Sequence, residues 1–180
     1  MIRLTPSARL FIFKVILIGP GAVGKTSLLH RFVENNFSFR YKLTIGADFL
    51  SKIIQRKDDT IKLQIWDIGG QDRYKFLRAS FFDGANGALV VFDLSRWHTF
   101  GELEDWIKDL REFAGEDTPF ILIGNKIDLM NRKNEIYERE NAEVFAKKEK
   151  IYYVETSAKS GENVEGAFWN LTNEMMKKTV

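Results

Sequence analysis

The sequence predicts an α/β fold: an open, mostly parallel, twisted sheet of about six strands with one antiparallel edge strand and helices on both faces. Two observations predict it. Runs rich in Val, Ile and Phe recur at wide intervals, as strands buried on both faces require. Between them lie stretches whose apolar residues return every three or four positions, which is typical of amphipathic helices. Strand and helix therefore alternate, and function is expected at the carboxyl ends of the strands.

In chain order the predicted strands cover 13–18, 47–56, 61–66, 88–92, 120–123 and 151–154. The predicted helices cover 25–34, 97–113, 138–150 and 164–177. The second and third strands follow each other without a helix, and the segment KDDT at 57–60 predicts a hairpin turn, so this pair supplies the antiparallel edge. Residues 36–46 and 68–82 lack clean periodicity, and we expect loops or irregular helices that can move.

Composition excludes several classes of function. The 180 residues suit one domain spanning 1–180, without linker or repeat. Lys and Arg number 27 against 25 for Asp and Glu, too balanced to indicate nucleic acid or an anionic membrane as the main partner. The chain has no cysteine, which excludes disulfides, thiolate zinc sites and lipid anchors on cysteine. Since no run of roughly 20 apolar residues occurs, we expect a cytoplasmic monomer that associates with membranes at most peripherally.

A phosphate-binding motif follows the first predicted strand. The segment GPGAVGKT at 19–26 matches GxxxxGK[ST] and opens a helix, so its backbone N–H groups can surround an anion. Lys25 supplies a cation for phosphates and Thr26 a hydroxyl for Mg²⁺. The candidate contacts are Gly19, Gly21, Ala22, Val23, Gly24, Lys25, Thr26 and Ser27. The motif alone does not distinguish ATP from GTP as the ligand, or a kinase from a switch as the class of protein. The alternative is a glycine turn that binds no phosphate.

Two later segments indicate the base. Asn125, Lys126 and Asp128 stand at the end of the fifth predicted strand, and the segment ETSAK at 155–159 follows the sixth. A carboxylate at Asp128 can accept two hydrogen bonds from N1–H and N2–H₂ of guanine, which adenine cannot offer. Asn125 can tie the loops together, and the stem of Lys126 can cover the ring. From the second segment, Ser157, Ala158 and Lys159 complete the candidate set, the Ala158 N–H donating to guanine O6.

Together these motifs resemble the small GTPases of the Ras superfamily, a P-loop NTPase fold, over about residues 13–176. The phosphate loop and the segment YKLTIGADF at 41–49 are most similar to Rab proteins. The second switch, WDIGGQDR at 66–73, looks more like the Arf pattern. The resemblance implies GTP or GDP with Mg²⁺ as ligands, and partners that include effectors, exchange factors and GTPase-activating proteins.

Metal binding and hydrolysis require hard oxygen ligands and an aligned water. Thr26, Thr44 and Asp67 are the candidate Mg²⁺ ligands. The resemblance implies that the Gly70 N–H contacts the γ-phosphate, and we expect Gln71 to orient the attacking water, with Lys25 as the second catalytic residue. A solvated, non-catalytic glutamine is the alternative.

Further assignments remain open in the sequence. Arg40 is either an internal arginine finger or a solvated side chain. Phe37 either contacts guanine, as the resemblance implies, or packs in the core. An effector surface similar to that of Rab proteins would use Ile45, Phe49, Trp66 and Phe81, for which burial in the core is the alternative.

The expected function is a GTP-binding and GTP-hydrolysing molecular switch, as in membrane-traffic regulation. A guanine-nucleotide-binding interaction module that does not hydrolyse GTP is the first alternative; the presence of Gln71 and Thr44 speaks against it. A nucleotide kinase is the second, and it would need an Arg-rich lid that the sequence lacks.

Overall fold

The computed structural model describes residues 9–38, 43–130 and 136–179, without the side chains of 72–74 and 136–138. Its strands are β1 (Leu10–Ile18), β2 (Ala47–Arg56), β3 (Asp59–Ile68), β4 (Gly87–Asp93), β5 (Phe120–Asn125) and β6 (Tyr152–Thr156). Its helices are α1 (Lys25–Glu34), α2 (Arg78–Phe82), α3 (His98–Gly101), α4 (Leu103–Ala114), α5 (Ile136–Glu149) and α6 (Val164–Thr179). Short 3-10 helices cover Asp72–Leu77 and Ile127–Leu129.

One six-stranded sheet organises these elements in the order β2-β3-β1-β4-β5-β6. Among the strands that the structure describes, only β2 and β3 pair antiparallel, and the other neighbours are parallel. The predicted fold class is therefore confirmed, including its single antiparallel edge strand. Because the parallel strands all point the same way, their carboxyl ends and the loops that follow them meet at one edge of the sheet.

Alternation along the central strand divides the core into two layers. Val15 and Leu17 on one face of β1 pack in the cluster that contains Leu28 of α1 and Phe168 of α6. On the opposite face Ile16 packs in the cluster that contains residues of α2, α4 and α5. Successive strand residues point to opposite faces, so a continuous apolar run serves both layers. This is why the buried strands read as unbroken hydrophobic segments.

Several predicted bounds differ from the structure by up to three residues, and two predicted elements differ in extent or number. The hairpin turn comprises only Lys57 and Asp58, because Asp59 already pairs with Arg56 in the ladder, and Lys57 takes a positive φ of 55°. The helix expected over 97–113 is two helices, α3 and α4, separated at Glu102. By contrast, 68–82 contains the irregular backbone that its lack of periodicity predicts.

In the part of the chain that the structure describes, no helix is both long and apolar enough to cross a membrane.

Candidate functional site

A cavity of about 1030 Å³ lies where the carboxyl ends of the strands meet their loops. Its walls combine the segment after β1, the segment before β2, the start of the second switch and the loops after β5 and β6. The predicted site residues that line it are Gly21, Ala22, Gly24, Lys25, Thr26, Ser27, Phe37, Thr44, Gly70, Gln71, Asn125, Lys126, Asp128, Ala158 and Lys159. Gly19, Val23, Asp67 and Ser157 lie behind this lining, and Leu129 and Asp48 line it although the sequence did not single them out.

Glycine is required at two positions of the phosphate loop. Gly19 has φ of 137°, and a Cβ there would lie 2.1 Å from the Val91 carbonyl oxygen of β4. Gly24 has φ of 101°, and its Cβ would lie 2.3 Å from the Asn125 side-chain nitrogen. Real side chains do not approach atoms so closely, so these glycines let the loop pack against β4 and the base loop.

Lys25 is buried beneath the phosphate loop. Its Nζ donates to the carbonyl oxygens of Gly19 at 2.7 Å and Pro20 at 2.8 Å. Burial lowers the pKa of this ammonium to about 8, although the nearby charge of Asp67 opposes the shift. A cation this poorly hydrated is a strong partner for an anion that enters the cavity.

Three oxygen-bearing side chains converge beside it. Thr26 Oγ1 and Thr44 Oγ1 both donate to Asp67 Oδ2, the second at 3.1 Å, and the two hydroxyls are 3.0 Å apart. Asp67 is fully buried, and burial raises its pKa despite the charge of Lys25. Its Oδ1 has no hydrogen-bond partner among the described residues. Hard oxygen donors around an unsatisfied buried carboxylate fit Mg²⁺.

The second switch lies against the phosphate loop. A Cβ on Gly70 would be 2.5 Å from the Gly21 nitrogen, and one on Gly69 would be 2.8 Å from the Thr44 carbonyl oxygen. The Gly69 N–H also donates to the Gly46 carbonyl oxygen at 2.8 Å, which joins both switch segments. Gln71, which follows Gly70 in the sequence, is half-buried and lines the cavity.

Asn125 joins the loops at the base end. It is buried, its Nδ2 donates to the Val23 carbonyl oxygen at 2.9 Å, and its Oδ1 accepts from Thr156 Oγ1 at 3.0 Å and from the Ala158 N–H at 3.3 Å. Asp128 is exposed, and its Oδ1 accepts from Ser157 Oγ at 2.6 Å. The carboxylate is therefore oriented and open to the cavity.

Arg31 was not identified from the sequence. On α1, it donates through Nε to the Ala158 carbonyl oxygen at 2.8 Å and through its terminal nitrogen to the Lys159 carbonyl oxygen at 2.6 Å. These contacts span more than 120 residues of sequence, so no local signal marks them.

Asp93 and Arg96 were also missed. Asp93 is fully buried at the end of β4 and accepts from Lys126 Nζ, Arg96 Nε and the Ser95 backbone and hydroxyl. Burial by itself would raise the pKa of this carboxyl, but the hydrogen bonds from Lys126, Ser95 and Arg96 outweigh it and the net pKa is lowered. A carboxylate at a strand end was the only available signal.

The aromatic residues of the expected effector surface form a row. Ring centroids are 5.1 Å apart for Phe49 and Trp66 and 6.4 Å for Trp66 and Phe81. Phe49 is 43% exposed and Ile45 72% exposed, whereas Trp66 and Phe81 are half-buried against the core. Ile45 and Phe49 are therefore exposed, as the expected effector surface requires. Trp66 and Phe81 are partly buried against the core, as the alternative predicted.

Phe37 packs against the core, as its alternative role predicted, and it also lines the cavity; its contact with guanine stays a prediction. Arg40, together with Tyr41 and Lys42 of the first switch, lies outside the described residues.

Three features define the class of small nucleotide-binding G domains. They are a six-stranded sheet with this strand order, a glycine-rich phosphate loop, and a carboxylate that can accept hydrogen bonds from guanine. The Ras family model matches residues 14–177, and the chain belongs to the Ras family. It is a Rab-like small GTPase; members of this family bind guanine nucleotides with Mg²⁺ and hydrolyse GTP to GDP.

The curated relatives are Rab-related proteins. The chain is 44% identical over 158 residues to the Ras-related protein RABA1c of Arabidopsis thaliana, covering 88% of this chain and 72% of the relative. It is 40% identical to rab-11.1 of Caenorhabditis elegans, covering 93% and 78%, and 40% identical to Rab-11A of Dictyostelium discoideum, covering 92% and 76%.

Proposed function

We propose that this single domain is a GTP-dependent molecular switch that recruits effectors in membrane traffic, working in the cytoplasm or peripherally on a membrane. The observation that carries the proposal is the convergence of Thr26 and Thr44 on Asp67. It joins the phosphate loop, the first switch segment and the end of β3 at one point. A ligand that changes the contacts at that point therefore changes both switches, as an order-to-disorder switch requires.

Mg²⁺ would be held by the hydroxyls of Thr26 and Thr44, with Asp67 accepting from a metal-bound water. When bound, it would neutralise charge on the phosphate oxygens. The phosphate loop would contribute backbone N–H groups and the buried ammonium of Lys25. Gly70 lies against Gly21, and its N–H would complete the contacts and make closure of the second switch depend on the γ-phosphate.

Hydrolysis needs an aligned water and neutralised charge rather than covalent chemistry from the protein. We assign the first task to Gln71, which follows Gly70 and lines the cavity. Lys25 serves the second. The alternative, a module that does not hydrolyse GTP, would release no phosphate from bound GTP in a single-turnover assay.

Guanine selectivity would reside in Asp128, whose carboxylate Ser157 orients. Asn125 holds the loops together, and Lys126 and Phe37 would flank the base. The Ala158 N–H donates to Asn125 Oδ1 at 3.3 Å, a long hydrogen bond that it would share with guanine O6 or exchange for it when the base is bound. Exchange factors, activating proteins and effectors would read the switch segments together with Ile45, Phe49, Trp66 and Phe81, which form an apolar surface beside them.

Nucleotide competition tests the base assignment. We expect GDP and GTP, but not ADP or ATP, to displace a bound fluorescent GDP analogue in the presence of Mg²⁺. Asp128→Asn should move the preference toward xanthine nucleotides, because the amide presents a donor where the carboxylate presents an acceptor. ADP competing as well as GDP does would overturn the proposal.

Effector recruitment has its own test. Beads carrying the GTP-loaded and GDP-loaded chain are compared for captured Rab effector domains, with Phe49→Ala and the matched exposed variant Tyr152→Ala. Binding that needs GTP and Phe49 supports the switch; equal binding in both nucleotide states refutes it.

A further inference from the structure

Ala22 occupies an unfavourable backbone conformation in the phosphate loop. Its φ is 60°, in the left-handed region that residues with a Cβ rarely adopt. In this conformation the Cβ of such a residue lies too close to a neighbouring carbonyl oxygen. Contacts from outside the loop can therefore help to keep Ala22 in this conformation.

Two cations converge on the carbonyl oxygen of this residue. The terminal nitrogen of Arg96 donates to the Ala22 oxygen at 2.8 Å, and Lys126 Nζ donates to the same oxygen at 2.8 Å. Arg96 is also 3.4 Å from the Gly21 carbonyl oxygen. A neutral carbonyl with two charged donors is held more firmly than one with a single neutral donor.

Asp93 holds the guanidinium of Arg96, the group that donates to the Ala22 carbonyl oxygen. Its Oδ2 accepts from Arg96 Nε at 2.8 Å and from Lys126 Nζ at 2.8 Å, while Oδ1 accepts from both donors of Ser95. The carboxylate is fully buried, so it has little freedom of its own. Arg96 thus bridges a buried acceptor at the end of β4 and the carbonyl oxygen of Ala22 in the phosphate loop.

The side chain acts from behind the loop. Ala22 and Gly21 line the nucleotide cavity, whereas Arg96 is not among the residues that line it. In a trans peptide the C=O and N–H groups point in opposite directions. Holding the carbonyls of Gly21 and Ala22 toward Arg96 therefore turns the following N–H groups, those of Ala22 and Val23, away from it.

We propose that Arg96, anchored by Asp93, is a positioning residue that clamps the Gly21–Ala22 backbone in the conformation that presents its N–H groups to nucleotide phosphates. The clamp rests on the proposed nucleotide-binding function. It stabilises the bound phosphates without touching them, and it couples the loop after β4 to the tightness of nucleotide binding. Lys126 shares the carbonyl, so the base loop and the clamp support the same peptide.

The test compares Arg96→Ala, Arg96→Lys and Arg111→Ala. Arg111 is a matched control, because it is 37% exposed against 39% for Arg96 and also lies in an ion pair, with Glu149, away from the cavity. Release of a fluorescent GDP analogue is measured with Mg²⁺, and ³¹P NMR records the β-phosphate of bound GDP. Tight GDP binding by the unmodified chain is established first, and its absence would count against the proposed function and not the clamp.

We expect Arg96→Ala to release GDP about 10- to 100-fold faster and to shift the β-phosphate resonance, because a charged donor to the loop is lost. The GDP release rate of Arg96→Lys should lie between those of the original chain and Arg96→Ala. An ammonium can reach Asp93 or Ala22, but it lacks the forked guanidinium that joins them. GDP over ADP selectivity should stay unchanged in all variants, as should every property of Arg111→Ala.

Two results would overturn the clamp. One is an Arg96→Ala variant that releases GDP at the original rate. The other is faster release with an unchanged β-phosphate resonance or with a loss of base selectivity, either of which would mark a general loosening of the fold.

Discussion

Gly70 lies against Gly21 so closely that a Cβ at position 70 would be 2.5 Å from the Gly21 nitrogen and 2.4 Å from the Pro20 carbonyl carbon. The atoms in the way are backbone, which cannot rotate aside as a long side chain can. The approach of the second switch to the phosphate loop therefore depends on the missing side chain at position 70. Gly21 is less confined, since a Cβ there would meet only the Gly70 oxygen at 4.0 Å.

Gly70→Ala should consequently separate hydrolysis from binding. The second switch can no longer reach the phosphate loop, so we expect single-turnover phosphate release to slow at least about tenfold. GDP affinity should change little, because the phosphate loop itself is intact. The matched control is Gly101→Ala, where a Cβ meets nothing within 4 Å and hydrolysis should stay unchanged. Unaltered hydrolysis in Gly70→Ala would show that closure of this loop is unnecessary.

Arg31→Ala should loosen the base end of the cavity. Arg31 holds the Ala158 and Lys159 carbonyl oxygens, and removing a charged donor from such acceptors costs about 1.5–3 kcal/mol. GDP release measured by stopped flow should accelerate about tenfold or more. The β-phosphate resonance should stay in place, which separates this effect from that of Arg96.

Arg56→Ala is the control for that experiment, since Arg56 makes a side-chain hydrogen bond to Asn173 rather than to a loop of the site. Equal GDP release rates for Arg31→Ala and Arg56→Ala would contradict the assignment.

The contribution of Asp93 to the free energy of unfolding should depend on pH in the acid range. Its pKa is lowered below the ordinary value of 3.8, so the folded state binds its proton less readily than the unfolded state does. A group of this kind contributes stability above its unfolded pKa and loses that contribution as pH falls through the folded pKa. Asp93→Asn should thus be about 1–3 kcal/mol less stable at pH 7, and the difference should shrink below about pH 3.8.

Urea unfolding at a fixed GDP concentration, from pH 7 downward, measures this difference. Asp58→Asn in the exposed hairpin turn is the control. A gap between the original chain and Asp93→Asn that stays constant down to the lowest pH would show that the carboxylate contributes nothing through its charge.

The sequence predicted what local patterns encode. The buried strands were recognisable because Ile16 and Leu17 serve opposite core layers within one short run. The phosphate loop was recognisable because a motif places glycines and Lys25 next to each other in sequence. The order of the motifs also placed the base residues at the correct edge of the sheet.

Contacts between distant segments could not be predicted in this way. Arg31 and Ala158 are 127 residues apart, and Arg96 and Ala22 are 74 apart, so no periodicity or motif relates them. The predicted bounds of the turn between β2 and β3 were wrong for a different reason. Arg56 and Asp59 are polar residues that fit a turn as well as a strand, and only pairing across the hairpin decides between them.

The last prediction concerns the rate of hydrolysis. With no arginine finger assigned in the described residues, we expect slow intrinsic turnover of about 10⁻⁴ to 10⁻³ s⁻¹. Gln71→Leu should abolish most of it and leave GTP affinity nearly unchanged, because the glutamine acts on the attacking water and not on the bound nucleotide.

Single-turnover phosphate release, with GTP affinity measured on the same preparations, checks both statements. An original rate near 10⁻² s⁻¹ or faster is the range expected with an arginine supplied by the chain itself. Arg40 would then be the finger, and Arg40→Ala should collapse the rate. If Gln71→Leu hydrolyses GTP as fast as the original chain, the water is oriented by another group, and the role assigned to Gln71 is wrong.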